Sequence, residues 1–221
     1  MSLPPLSRIL PFAVFIAFIA LDGVLKDMAT SIGMDARWWY GVRVLVVTLL
    51  LAWFWRSYDE LHSIAGVKAT DWFLAIGVGL LVFLLWINLD FAPLAFTGSE
   101  GFDPRVSGTI DWGHAVVRLA GAALVVPVLE ELFWRSFVMR WIRRPEFLKV
   151  APAEVGIKAL AISSVLFALE HHLWFAGLLA GLAYGWLYMR SGNLWVPTLS
   201  HAVTNGVLGA WVLYTGNWQF W

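Results

Sequence analysis

Long apolar runs recur along the whole chain and leave it few possible folds. Residues 10–25, 38–55 and 72–88 form three such runs before the midpoint, and four more follow after residue 111. A helix that crosses a bilayer needs about 20 mostly apolar residues. Of the 221 residues, 60% are hydrophobic and 14% charged, against roughly 25% charged in soluble domains. The expected fold is therefore all-α, a polytopic transmembrane bundle of about seven to eight helices. Residues 1–221 read as a single membrane domain, with N-terminal spans over 1–92 and a core over 112–214. The run at 10–25 reads as an uncleaved first span, because no small-residue cleavage site follows it. Several tryptophans, Trp38, Trp53, Trp72 and Trp195 among them, flank the runs where interfacial belts sit.

Net charge is zero, so no basic field points to nucleic acid. There is no cysteine, which excludes disulfides, cysteine nucleophiles and thiolate metal sites. The segment 93–111 is rich in Gly, Pro, Ser and Thr and reads as a surface loop. Basic residues cluster at Arg140, Arg143, Arg144, Lys149 and Lys158, which places that connector in the cytoplasm. Alternation then puts Arg8, Arg56, Lys68 and Arg190 on the same side, with a cytoplasmic N-terminus. The C-terminal residues 218–221 fall outside. Lys26 and Arg37 dissent, each beside an aspartate.

The fourth span, from about residue 112 to 141, contains Pro127-Val128-Leu129-Glu130-Glu131-Leu132-Phe133-Trp134-Arg135. Ionisable groups at membrane depth are costly and normally pair inside a bundle or face a wet cavity. Glu131 and Arg135 are four apart on a helix, so they share a face and can form an ion pair. Glu130 is rotated about 100° from that face and has no cation four residues on. Pro127 removes a backbone donor one turn earlier and predicts a bend.

Three more polar positions lie in later spans: His171, His201 and Asn205. At ~1.5 Å per residue, Glu130 lies ~15 Å, His201 ~10–12 Å and His171 ~20 Å from the basic end. Polar groups from three spans thus reach similar depths, and the apolar surroundings give each a reason to find the others. The expectation is a polar cavity in the C-terminal half. A glutamate and a histidine sharing a water can act on it as general bases. A second histidine and an asparagine amide can donate to the oxyanion of a tetrahedral intermediate. Glu130, His171 and His201 would equally make a two-histidine, one-carboxylate site for Zn²⁺ with an open position for water. Both schemes hydrolyse an amide or ester. There is no G-x-S-x-G, H-E-x-x-H or phosphate loop.

These residues resemble a known family. Glu130-Glu131-x-x-x-Arg135, Phe167-x-x-x-His171 and His201-x-x-x-Asn205, in that order, are similar to the three motifs of the CAAX protease and bacteriocin-processing family, over roughly residues 115–210. The resemblance implies an intramembrane endopeptidase of a bacterial cytoplasmic membrane, acting on a membrane-anchored peptide or protein. By motif, Glu130 and His171 activate the water, His201 and Asn205 hold the oxyanion, and Glu131 and Arg135 orient them. Both glutamate-dependent and metal-dependent chemistry have been described for the family.

Plainer readings stand beside these. Glu131–Arg135 serves as a structural pair, and His201 and Asn205 serve as interhelical hydrogen bonds. Glu170 reads as a helix-end or supporting carboxylate. His172 is the alternative to His171. Gly177, Gly181 and Gly185 read as a packing stripe, and Arg118 as a snorkelling side chain. A non-enzymatic immunity or scaffold protein of the same fold is the competing function. A small carrier is a further one, weakened by the absence of repeated halves.

Overall fold

The structure is a computed structural model that describes residues 3–96 and 101–221. Its elements are helices apart from one small hairpin. They run α1 (Leu3–Ala20), α2 (Asp22–Ser31), α3 (Trp38–Trp53) and α4 (Ala69–Asn88), then strands β1 (Arg105–Val106) and β2 (Thr109–Ile110). A continuous helical run over 112–143 follows. It comprises α5 (Trp112–Ala120), a π-helical segment (Gly121–Val125), α6 (Val126–Glu131), a second π segment (Leu132–Met139) and α7 (Arg140–Arg143). The chain closes with α8 (Ile157–Leu169), α9 (Trp174–Ser191) and α10 (Trp195–Thr215).

Among the described residues, α4 is long and apolar enough to cross a bilayer, and α1 with α2 passes as a pair bent by 63°. The helices α3 and α8 are apolar but shorter. The first expected span is therefore broken at Leu21, where α1 ends and α2 begins in a new direction. The outward surface is apolar along several helices, with Leu49 on α3, Leu81 and Leu84 on α4, and Val165 on α8 exposed.

Helix α10 is central, packing on α4, α9, α5 and α6. Small residues permit this. A Cβ on Gly79 of α4 would meet Val203 Cβ at 2.9 Å, and one on Gly181 of α9 would meet Ser164 Cβ at 3.0 Å. The Gly177–Gly185 stripe is thus a close seam between α8 and α9, as expected of it. On the other side Phe12 of α1 stacks on Phe133, ring centroids 3.8 Å apart.

The segment 112–143 departs from a plain α-helix for a readable reason. Asp111 caps its start, accepting from His114 N at 3.1 Å. The Val126 N–H donates to the Gly121 carbonyl, five residues back. The next donor in that register would be residue 127 to the Ala122 carbonyl, and Pro127 has no N–H. Pro127 therefore sits at a change of helical register, just ahead of the glutamates.

The two ends of the bundle differ in charge. At one end Arg8, only 1% exposed, grips Glu60 through Nε at 2.8 Å and Nη2 at 2.6 Å. Ser136 also contacts Glu60, and Arg140 reaches the carbonyls of Leu148 and Val150 nearby. Asn193 Nδ2 donates to Ser63 O. The basic connector, the start of α1 with Arg8 and the last turn of α9 with Arg190 thus share one end. Lys26 and Arg37 belong to the opposite end, where Lys26 pairs with Asp22 at 2.8 Å and Arg37 with Asp35 at 2.5 Å. The Arg37 guanidinium beside Asp35 holds that carboxyl down to about 2.

At that far end the expected loop 93–111 is partly structured, and residues 97–100 of it lie outside the described residues. Ser107 (φ 51°) and Gly108 (φ 85°) form the two-residue turn of the β1–β2 hairpin, the left-handed pair that such hairpins require. Phe96 N donates to His172 O at 2.9 Å and Trp174 Nε1 to Pro93 O at 2.9 Å. Trp221 is buried with Phe83, Ala115, Leu208 and Val212.

Candidate active site

A cavity of about 270 Å³ opens inside the bundle. Helix α6 supplies Glu130, the end of α8 supplies Glu170 and His171, and α10 supplies His201 and Asn205. Glu130 Oε2 lies 4.0 Å from His201 Nε2. It is buried and has no hydrogen-bond partner among the described residues. One ligating atom each from Glu130, Glu170 and His171 lie within 4.8 Å of one another.

Each imidazole is held by its Nδ1. His171 Nδ1 is 2.7 Å from the Phe167 carbonyl, one turn earlier in the same chain segment. A carbonyl only accepts, so this nitrogen carries the proton and Nε2 of the neutral ring keeps its lone pair. Gly177 brings α9 under this ring, since a Cβ there would lie 3.2 Å from His171 Cβ. Trp86 meets the ring edge-on at 5.4 Å. His201 Nδ1 is 3.0 Å from Glu131 Oε1, and its ring stacks on Tyr184 with centroids 5.0 Å apart. Tyr184 is tethered in turn, donating to Thr204 Oγ1 at 2.7 Å, which donates to Gly79 O at 2.9 Å.

The adjacent glutamates are used differently. Glu131 is fully buried between Arg135 Nε at 3.1 Å and His201. The Arg135 guanidinium also lies 4.5 Å over the Phe167 ring. The ion pair follows the four-residue spacing, and Glu131 in addition fixes the histidine. Glu130, one residue earlier, faces the cavity. Asn205 Nδ2 donates to Ala122 O at 2.8 Å, the carbonyl that Pro127 leaves without a main-chain donor.

The sequence-predicted residues Glu130, His171, His201 and Asn205 all line this one cavity, with Glu131 and Arg135 directly behind. His172 lines a separate recess with Asp90 and Trp86. The structure adds Glu170 to the site. Trp134 Nε1 donates to Glu170 Oε1 at 2.8 Å and so turns the carboxylate toward Glu130. Trp134 is four residues after Glu130, on the same helical face. A carboxylate next to a motif histidine at the end of an apolar run was the available signal. The donors that lie within 4.8 Å of one another are those of Glu130, Glu170 and His171, while His201, its Nδ1 held by Glu131, turns Nε2 to within 4.0 Å of Glu130 Oε2. Two carboxylate oxygens and an imidazole suit Zn²⁺, whose tetrahedral donors stand about 3.4 Å apart for bonds near 2.1 Å. The three donors here would have to draw together modestly.

Residues 112–207 match the family described as type II CAAX prenyl endopeptidase Rce1-like. Over these 96 of the 221 residues the chain is similar to the Rce1-like family. The Rce1-like segment begins with α5 and ends two residues past Asn205, so it contains every residue of the cavity cluster named above. No curated protein and no solved structure matches the chain. Rce1-like proteins are proteases and membrane proteins.

Proposed function

We propose that the chain is a membrane-embedded endopeptidase that hydrolyses a peptide bond of a membrane-anchored peptide or protein. The observation that carries this reading is the meeting of Glu130, Glu170, His171 and His201 in one internal cavity within the Rce1-like segment. A membrane setting is supported by the apolar outward surface and by the hydropathy of α4. The basic end containing Arg8 and Arg140 faces the cytoplasm.

In this reading a water held between His171 and Glu130 loses its proton to Glu130. Its oxygen attacks the carbonyl carbon of the peptide bond. The oxyanion accepts hydrogen bonds from the Asn205 amide and from His201 Nε2–H. Breakage of the C–N bond needs a proton on the leaving nitrogen, and the Glu130–Glu170 pair returns the one taken from water. When Zn²⁺ is bound, Glu130, Glu170 and His171 would hold it, and it would supply Lewis-acid activation of the water.

The test uses the purified full chain in lipid nanodiscs with a peptide library, cleavage being read by mass spectrometry. Wild type should cut a defined set of peptides, and Glu130→Gln and His171→Ala should abolish cutting while keeping thermal stability. Full cleavage by either variant would overturn the reading. Full biological activity of both in the host would favour a scaffold. Chelation followed by Zn²⁺ addition separates the two activation schemes, because only the metal-dependent one loses and regains cleavage.

A further inference from the structure

Arg43 of α3 and Arg118 of α5 line the same cavity as Glu130. Snorkelling does not describe Arg118. Its guanidinium carbon lies 4.3 Å from the Tyr40 ring centre and 5.5 Å from that of Phe102. Arg43 lies 4.8 Å from the same Tyr40 ring and 4.5 Å from Phe15. Tyr40 is itself fixed, donating from its hydroxyl to Arg118 O at 3.3 Å. Gly121 admits it, since a Cβ there would stand 2.7 Å from that hydroxyl.

Two cations therefore share one aromatic ring, and among the described residues no carboxylate lies within ion-pair distance of either. The Nε atoms of both are buried without a hydrogen-bond partner. Neither arginine has an ion pair among the described residues. The acids lining the adjoining recess are engaged, Asp22 with Lys26 at 2.8 Å and Asp103 with Arg105 at 2.6 Å. Both side chains are half-buried, and holding two like charges together against aromatic rings is unfavourable unless an anion completes the group. Two guanidinium forks clamped by aromatic rings suit a carboxylate.

Position says which carboxylate. Arg118 precedes Glu130 by twelve residues of one helical run, about 18 Å along its axis. An extended peptide covers that distance in about five residues. Asn205 on Ala122 O stands about a third of the way from Arg118 to Glu130 along the same cavity wall. We propose that Arg43 and Arg118 form a carboxylate-binding subsite that selects substrates bearing an acidic side chain or a free chain terminus about five residues from the bond that is cut. This rests on the endopeptidase reading.

The experiment takes a peptide cut by wild-type protein in phosphatidylcholine nanodiscs. Its acidic side chains and its terminus are converted, one at a time, to amides. One conversion, about five residues from the cut, should lower kcat/KM by about tenfold or more, the worth of a charge-assisted hydrogen bond. Which conversion does so distinguishes a side chain from the terminus. The acid-to-amide ratio should fall toward one in Arg118→Gln and in Arg43→Gln, and a ratio does not depend on how much variant folds. Arg43→Lys, which keeps the charge, should retain part of it. An unchanged rate for every amide peptide, or the same ratio in wild type and Arg118→Gln, overturns the subsite and leaves the endopeptidase reading intact. Loss of the preference when phosphatidylglycerol replaces phosphatidylcholine assigns the pair to a lipid phosphate and also overturns it. No cleavage of any peptide by wild type overturns the endopeptidase reading instead. The subsite is then judged by binding of acid and amide peptides to Glu130→Gln, where equal affinities reject it.

Discussion

The side-chain amide of Asn205 donates to the main-chain carbonyl of Ala122 at 2.8 Å. That carbonyl is open because residue 127, the next donor in the π register, is proline. A side chain from α10 thus completes the hydrogen bonding of the helix that presents Glu130. Short π segments inside helices are frequent at functional sites, and here the cause can be named.

Asn205→Ala should therefore destabilise the protein by about 1 kcal/mol, the net worth of a part-buried side-chain to main-chain hydrogen bond. Pro127→Ala restores a main-chain N–H that can reach Ala122. The two substitutions should couple, Asn205→Ala costing about 1 kcal/mol less in the Pro127→Ala background. Thermal unfolding of the four proteins measures this. Additive effects would show that the Ala122 carbonyl does not link the two residues.

Glu170 separates fold from chemistry. Gln at this position keeps an oxygen for the Trp134 indole but loses the carboxylate. Glu170→Gln should unfold within about 1 kcal/mol of wild type, and cleavage should fall by about 100-fold or more, as for a lost acid–base group. Wild-type kcat/KM in Glu170→Gln would return this residue to a purely supporting role.

The Glu130-Glu131-x-x-x-Arg135 pattern was legible because helical periodicity alone decides which carboxylate pairs with Arg135. Depth counting likewise brought Glu130, His171, His201 and Asn205 toward one level, since apolar surroundings leave polar groups few alternatives. Three features were hidden for physical reasons. Glu170 sits where α8 ends, and only the tertiary approach of Trp134 turns it inward. The π register depends on how Pro127 is accommodated, which an α-helical count cannot express. Arg118 reads as a snorkelling side chain until Tyr40 and Phe102, far off in sequence, close over it. Spacing within one helix and a shared depth were readable, whereas the particular side-chain contacts between distant helices were not.

Arg135 shows how much of the site depends on a group that does not touch the cavity. Glu131 is fully buried, and its charge is answered by Arg135 and His201. Arg135→Met leaves that carboxylate uncompensated and should destabilise by about 3–5 kcal/mol. Arg135→Met combined with Glu131→Gln should recover much of the stability. It should not recover cleavage, because the carboxylate that holds His201 Nδ1 is gone. Unfolding temperature and cleavage rate on the same samples distinguish the two effects. Stability that stays low in the double variant would mean that Arg135 acts mainly through its packing on Phe167.

Part of the acid sensitivity should originate at the opposite, basic end of the bundle, beside that of the Asp35–Arg37 pair. Burial pushes the Glu60 carboxyl up, but the Arg8 hydrogen bonds and charge, with help from Ser136, outweigh it and hold the group below its ordinary value of 4.5. A carboxyl whose folded value is depressed binds its proton more readily when the chain unfolds. Its contribution to stability is complete above about pH 4.5 and is lost as pH falls through the lower folded value. Wild type should accordingly lose unfolding temperature on going from neutral pH to below that range, with Glu60→Gln, already less stable at neutral pH, losing less over the same interval. Arg8→Met should flatten the profile in the same way, since Arg8 is the group that depresses Glu60. Parallel profiles for wild type and Glu60→Gln would place the acid-sensitive group elsewhere and leave the Arg8–Glu60 clamp without a role in the pH dependence.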